Sequence, residues 1–232
     1  MSDQDRPLPP RAAARLLVLV VVIPCLPLLI SWRWAWWEAW LYAVTAILGF
    51  AVSRVLAIRR HPDLFGERAR FLGHEDIVAW DRVLAPLAAL GGGLLPLIAG
   101  LDARFGGSAT FSLPARIGAL VVILVGYAFS SWALIENRYF SGVVRIQSER
   151  GHHVVSSGPY RWIRHPGYAG GLVAYWATPV LLESPWAFLP AAYLTIVLVI
   201  RTALEDRTLR RQLDGYEAYA GRVRYRLLPG AW

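Results

Sequence analysis

Lysine is missing altogether, so all 24 basic side chains are arginine. A base-composition bias would do the same, and little rests on it. Cysteine occurs once, at Cys25 inside an apolar run, which excludes a disulfide framework and a cysteine-rich zinc site. Charge is scarce too. Charged residues make up 17% of the chain and hydrophobic ones 56%, against about 25% charged in typical soluble domains. That composition excludes an ordinary soluble domain and points to a membrane protein. No Gly-x-Gly-x-x-Gly follows a strand pattern, so nothing marks a Rossmann dinucleotide site. The Gly91-Gly92-Gly93 run lacks the strand and lysine of a phosphate loop and reads as a place for close helix packing. No internal repeat and no low-complexity tract are present. A pI near 10.1 would suit nucleic acid, but no recognition fold accompanies it, and arginine-rich membrane-flanking loops explain it.

What the chain does have is apolar runs of membrane-spanning length, which needs about 20 residues. Ala12–Ile30, Trp34–Ile58, Val83–Leu101 and Ile117–Ile135 fit. Gly167–Leu182 and Trp186–Ile200 are shorter, meet at Glu183-Ser184-Pro185, and read as a helical hairpin. Pro179 and Pro190 inside them allow kinks or a broken geometry. The expected fold is an all-α integral membrane protein of about six apolar helical segments. Residues 1–10 are polar, Pro-rich and expected to be disordered. Residues 11–136 form amino-terminal transmembrane helices, and 137–232 a carboxy-terminal functional region of the same single domain. The first segment has a basic start but a poor cleavage site at Ser31-Trp32-Arg33-Trp34, so it is expected to remain as an anchor. Trp32, Trp34, Trp36, Trp37, Trp40 and Tyr42 read as an interfacial aromatic belt. Six crossings put 21 of the 24 arginines on one side, leaving Arg33, Arg104 and Arg116 on the other. The positive-inside rule then places both termini in the cytoplasm.

Polar chemistry collects in one stretch. Gln147, His152, His153, Tyr160, Arg164 and His165 lie in the loop before the hairpin. Pro166 follows His165 directly, so His165 is biased away from helix and Pro166 suits a helix start. The N–H groups of Gly167 and Tyr168 would then face an anion. The hairpin returns Arg201 and Glu205 to the same membrane face. Their spacing of four puts them on one helical face, where a plain ion pair is the simpler alternative. Asp206 points about 100° away and reads equally well as solvent surface. His152 and His153 could be loop surface, Tyr160 and Tyr168 interfacial anchors, and Arg161 and Arg164 topology determinants. The histidine pair lacks further metal ligands, and no metal is expected. A ligand for the whole set would carry a carboxylate for the helix start, a cation for Glu205, and an aromatic part for the tyrosines. S-adenosylmethionine has all three.

The order Gln147, His152–Val155, Gly158-Pro159-Tyr160, Arg164-His165-Pro166-Gly167-Tyr168, apolar hairpin, Arg201, Glu205-Asp206, Tyr216–Tyr219, Arg222-Val223 resembles the isoprenylcysteine carboxyl methyltransferase family. The wider group includes phospholipid N-methyltransferases and related bacterial membrane enzymes. The resemblance covers roughly Asn137–Trp232. It implies a non-Rossmann, S-adenosylmethionine-dependent methyltransferase in a membrane of bacterial inner-membrane type. By motif position Gln147, His152, His153, Val154, Val155, Tyr160, Arg164, His165, Pro166, Gly167, Tyr168 and Glu205 would line the cofactor pocket. Arg201, with Glu205, would act at the methyl acceptor, an amphiphilic molecule such as an isoprenylcysteine-like carboxylate. The family's acidic pair is usually Glu-Glu, and Asp206 departs from it. A carboxylate acceptor is already ionised and needs no general base; an amine would need one, from Glu205 or a histidine. Lipid N-methylation, an NADPH-dependent sterol-reductase-like activity, and a non-enzymatic transporter or lipid-binding role are the alternatives. The expected partners are the bilayer and an amphiphilic substrate, with no nucleic acid.

Overall fold

A computed structural model describes residues 17–64, 76–107 and 109–232; the expectation for residues 1–10 lies outside them. The described residues fold as helices and irregular connections, with no strand among them. α1 (Val18–Ser31) opens with a π-helical turn over Val18–Val22. It is followed by α2 (Trp37–Arg60), α3 (Asp81–Arg104), α4 (Leu113–Glu136), α5 (Pro166–Leu181), α6 (Phe188–Gln212) and a short α7 (Tyr216–Arg222). Four runs are long and apolar enough to cross a membrane: α2, α3, α4 and Pro185–Gln212, which contains α6. The described part of α1 is shorter, and α5 has 16 residues, about 24 Å of helix. The six expected apolar helices are therefore present, and among the described residues four of them have full spanning length.

Large apolar side chains stay exposed along these helices, among them Leu48 and Val52 on α2, Val121 and Val125 on α4, and Leu189 and Ile196 on α6. Water would penalise such faces, whereas lipid solvates them. The chain is an all-α integral membrane protein. Of the aromatic cluster, Trp32, Trp34, Trp37 and Trp40 face outward. Trp36 and Tyr42 turn inward instead, onto a core built from Leu28, Leu95, Ile123, Leu181 and Ala191. Trp32 ends α1 in the left-handed region, at φ 57°.

α4 and α5 make the broadest helix contact, and two glycines explain it. A Cβ on Gly126 would lie 2.6 Å from the Gly170 carbonyl oxygen, and one on Gly170 would lie 2.5 Å from that of Gly126. The backbones cross at a separation only glycine permits. The Gly91–Gly93 run is likewise a packing surface, with Gly91 against Tyr193 and Leu194 and Gly92 against Tyr175.

The hairpin helices run unbroken. Pro190 falls in the first turn of α6, where a missing N–H costs least, whereas Pro179, in the last turn of α5, forgoes one bond to the preceding turn without ending the helix. Polar contacts fasten both ends of the bundle. At the hairpin tip Arg116 pairs with Glu38 and with Glu183, the latter at 3.4 Å, and Ser184 donates to Asp102 at 2.7 Å. At the other end Arg60 meets Glu136 at 3.3 Å, and Asp63 receives Arg138 at 2.8 Å and Arg150 at 2.6 Å. Hydropathy placed the last apolar segment's end near Ile200, yet α6 continues to Gln212. Hydrophobicity marks how far lipid reaches, and the helix outlasts it. That polar extension carries Arg201, Glu205 and Asp206 to the site.

Candidate active site

The site forms where α4 ends, α5 begins and α6 leaves the apolar layer. The connection from Asn137 to His165 is irregular, with 3₁₀ turns at Ser148–Arg150 and Gly158–Arg161. Gly151 and Gly158 turn the chain at φ 65° and 54°, values a side chain resists. Gln147 is buried and donates to the Tyr139 carbonyl at 2.8 Å. The Tyr139 hydroxyl donates to Gly151 O at 2.7 Å and pairs with His153 Nδ1 at 2.8 Å. Its ring lies 4.4 Å from that of His152. Burial first, then the neighbouring charges of His153, Arg150 and Arg145, lower His152 to about 4, so it is neutral at pH 7.

The carboxy-terminal segment holds the His165 corner from outside. Arg164 and His165 donate their backbone N–H groups to Tyr225 O and Arg226 O, both at 3.0 Å. The chain then enters α5 at Pro166, with His165 as the capping position. Gly167 lets the Phe140 ring approach, since a Cβ there would lie 2.7 Å from Phe140 Cε2. The His165 and Tyr168 rings lie parallel with centroids 5.8 Å apart.

The returning helix meets this corner. Tyr168 donates its hydroxyl to Glu205 Oε2 at 2.8 Å, and His165 Nδ1 stands 3.9 Å from Glu205 Oε1. Asp206 is 1% exposed, not solvent surface. It accepts from Tyr216 at 3.0 Å and from Arg210 and Arg226 at 3.2 Å each, and pairs with Arg164 at 3.2 Å. One turn nearer the membrane, Arg201 donates to Asp81 through Nε at 2.7 Å and Nη2 at 2.9 Å, and also to Gly142 O at 2.9 Å. Asp81 is fully buried and takes the Val144 N–H at 2.6 Å.

These elements line a cleft partly open to solvent. Eleven of the twelve expected cofactor residues line it: Gln147, His152, His153, Val154, Val155, Tyr160, Arg164, His165, Gly167, Tyr168 and Glu205. Pro166 does not; it starts α5 behind them. Arg201 sits behind Tyr168, its guanidinium 5.4 Å from that ring, and is bonded to Asp81 rather than to Glu205 or the cleft. Tyr139, Phe140, Leu209 and Leu213 also line the cleft and carried no signal beyond hydrophobicity. Tyr216 and Tyr219 close one wall, with the Tyr219 hydroxyl donating to Tyr160 O at 2.7 Å. Asp81 escaped notice because it lies two residues before an uncharged run and far from the motif in sequence. Within the cleft wall, Arg164 Nη1 is buried without a hydrogen-bond partner in the protein, while His165 Nε2 faces Asp206 Oδ1 at 3.8 Å. A buried guanidinium nitrogen of this kind is rare and calls for a ligand.

Comparison with known proteins fits this geometry. A probable protein-S-isoprenylcysteine O-methyltransferase of Oryza sativa subsp. indica is 34% identical over 110 residues, 45% of this chain and 56% of the relative. A methanethiol S-methyltransferase 1 of Bradyrhizobium diazoefficiens is 32% identical over 120 residues, 45% of this chain and 41% of the relative. The Delta(14)-sterol reductase erg24 of Schizosaccharomyces pombe is 33% identical over 87 residues, 36% of this chain and 20% of the relative. The chain spans about half the length of these two methyltransferases. The family described as isoprenylcysteine carboxyl methyltransferase matches residues 119–211, from α4 through the extension of α6. Over that segment the chain is similar to the isoprenylcysteine carboxyl methyltransferase family.

Proposed function

We propose that the chain is a membrane-embedded methyltransferase that takes its methyl group from S-adenosylmethionine and delivers it to an acceptor entering from the bilayer. The observation that carries this reading is the convergence of Glu205 on Tyr168 and His165 around a cleft whose wall holds an unpartnered Arg164 nitrogen. In this reading Arg164 and the first N–H groups of α5 hold the cofactor's carboxylate. Glu205 faces its positive charge, and Tyr139, Phe140 and His152 offer ring faces and apolar wall to its base. When bound, the cofactor supplies an activated methyl on a sulfonium. The chain's own work is positioning: Tyr168 fixes the Glu205 carboxylate, Tyr216 and Tyr219 exclude water from one side, and Asp206 keeps Arg164 in place.

Residues 137–232 form most of the site in this reading, and the amino-terminal helices contribute Asp81 and a lipid-facing approach. The arginine distribution supports a cytoplasmic face for the site, with both termini there, as in a bacterial inner membrane. Arg201 acts as a positioning residue rather than an acceptor clamp, because Asp81 and Gly142 already occupy it.

Ligand stabilisation of the detergent-purified protein tests the reading. S-adenosylhomocysteine raises the melting temperature by several degrees at 100-fold over its Kd, worth about 2.7 kcal/mol, and Glu205→Ala abolishes that shift. The similarity to a Delta(14)-sterol reductase supports a second reading, reduction with NADPH. Stabilisation by NADPH and not by S-adenosylhomocysteine selects it.

A further inference from the structure

Building on the methyltransferase reading, we infer that Asp81 is a positioning residue: it ties the loop part of the cleft wall to the helix part and so sets the fit of the cofactor. Val143 and Val144 of the site loop line the cleft, as do Tyr168 of α5 and Glu205 of α6. Asp81 opens α3 and lies outside the matched residues 119–211. Its carboxylate engages both parts at once. Toward the loop, Oδ2 accepts the Val144 N–H at 2.6 Å, and Val144 O accepts the Val78 N–H at 3.2 Å. Toward the helices, Oδ1 and Oδ2 accept Arg201 Nε and Nη2 at 2.7 and 2.9 Å. The same Nη2 donates to Gly142 O at 2.9 Å, so the guanidinium also returns to the loop. From Arg201 the contact runs on to the Tyr168 ring, 5.4 Å away, and from the Tyr168 hydroxyl to Glu205 Oε2 at 2.8 Å.

The chemistry of a carboxylate suits this junction. Ionised, it only accepts, and its two oxygens have room for about four hydrogen bonds. Here they take one backbone N–H and two guanidinium nitrogens. Paired N–H donors from a guanidinium fix direction as well as distance. Asp81 is 0% and Arg201 6% exposed, and breaking a buried pair leaves a charge without its partner. Asp81→Asn keeps a single acceptor oxygen and turns its NH₂ toward either the guanidinium or the Val144 N–H, donor against donor. One part of the wall is then released. A cofactor resting on both parts must order the loose one when it binds, and that ordering weakens its affinity. Asp81 acts through Val144 and Arg201, not on the reactants.

Calorimetric titration of S-adenosylhomocysteine into the intact protein in detergent, well below its melting temperature, tests this. Asp81→Asn raises the Kd of the folded protein at least tenfold, and Arg201→Gln does the same. Because the two residues act through one contact, the double variant Asp81→Asn with Arg201→Gln binds no more weakly than the weaker-binding single variant. If the single variants do not fold, the double variant, in which both charges are gone, still decides: its Kd must lie at least tenfold above that of the wild type. A smaller rise in Kd, even with the melting temperature lowered, reduces the pair to a structural brace and overturns the inference. Losses that multiply in the double variant overturn it as well. Absence of S-adenosylhomocysteine binding by the wild-type protein rejects instead the cofactor reading beneath it.

Discussion

Asp206 has one carboxylate and four close polar partners: Arg164, Arg210, Arg226 and Tyr216. Three of them come from different parts of the chain, namely the corner before α5, the short α7 and the carboxy-terminal segment. The carboxylate is 1% exposed, so its removal leaves Arg164 buried without a counter-charge. Asp206→Asn is expected to cost about 3 kcal/mol or more, read as a loss of midpoint in denaturant unfolding. Asp206→Glu keeps the charge but adds a methylene to a filled site, and its expected cost is about 1 kcal/mol. Sequence reasoning singled out Glu205 and left its neighbour open, because a 100° step around a helix says only that the two acids diverge. Which of the two directions is buried depends on α7 and the carboxy-terminal segment, whose docking no local pattern announces. Arg201 shows the same limit. Its partner Asp81 lies 120 residues away, while the visible i,i+4 acid, Glu205, bonds to Tyr168 instead.

α4 and α5 illustrate what hydropathy can and cannot deliver at the level of elements. Their apolar runs, the hairpin turn and the helix start at Pro166 were all legible, because lipid demands uninterrupted apolarity and proline fixes a first turn. The far ends of helices were not, since α6 runs twelve residues past the end of its apolar run at Ile200. The crossing of α4 and α5 at Gly126 and Gly170 was also hidden, because glycine in an apolar helix looks the same whether it faces lipid or another backbone. Gly170→Ala would place a Cβ 2.5 Å from Gly126 O and 2.8 Å from Ser130 N. The helices must then separate, and Ser130 loses its 3.0 Å bond to Gly167 O. We expect a cost of about 1–3 kcal/mol, measured as a lower melting temperature with weakened S-adenosylhomocysteine stabilisation. Gly118, also on α4, has open space where a Cβ would go. Gly118→Ala serves as the control, neutral or stabilising by up to about 1 kcal/mol.

At the scale of the whole molecule, the amino-terminal helices and the site loop are joined by charges outside the apolar layer, and these give the fold a pH dependence. Asp63, just beyond α2, accepts from Arg138 and Arg150 of the site loop. Burial works to raise it, but the hydrogen bonds and charges of the two arginines prevail and hold it at about 2. His152 moves in the destabilising direction for a cation, down to about 4. Between about pH 6.5 and 4 the unfolded chain binds a proton at His152 that the folded chain refuses, so stability falls as pH drops through that window. The Asp63 contribution is complete above pH 3.8 and is lost as pH falls toward 2. Acid unfolding is therefore expected in two limbs, with neither group contributing a slope above pH 7. After discounting for partial exposure, the His152 limb is worth on the order of 1 kcal/mol. Melting temperatures from pH 8 to pH 3 check this. His152→Asn should flatten the upper limb and leave the lower one, whereas Asp63→Asn should remove the lower limb while the decline below pH 6.5 persists. An upper limb that survives His152→Asn assigns the acid sensitivity to a different group and removes the neutral His152 from the picture of the cleft.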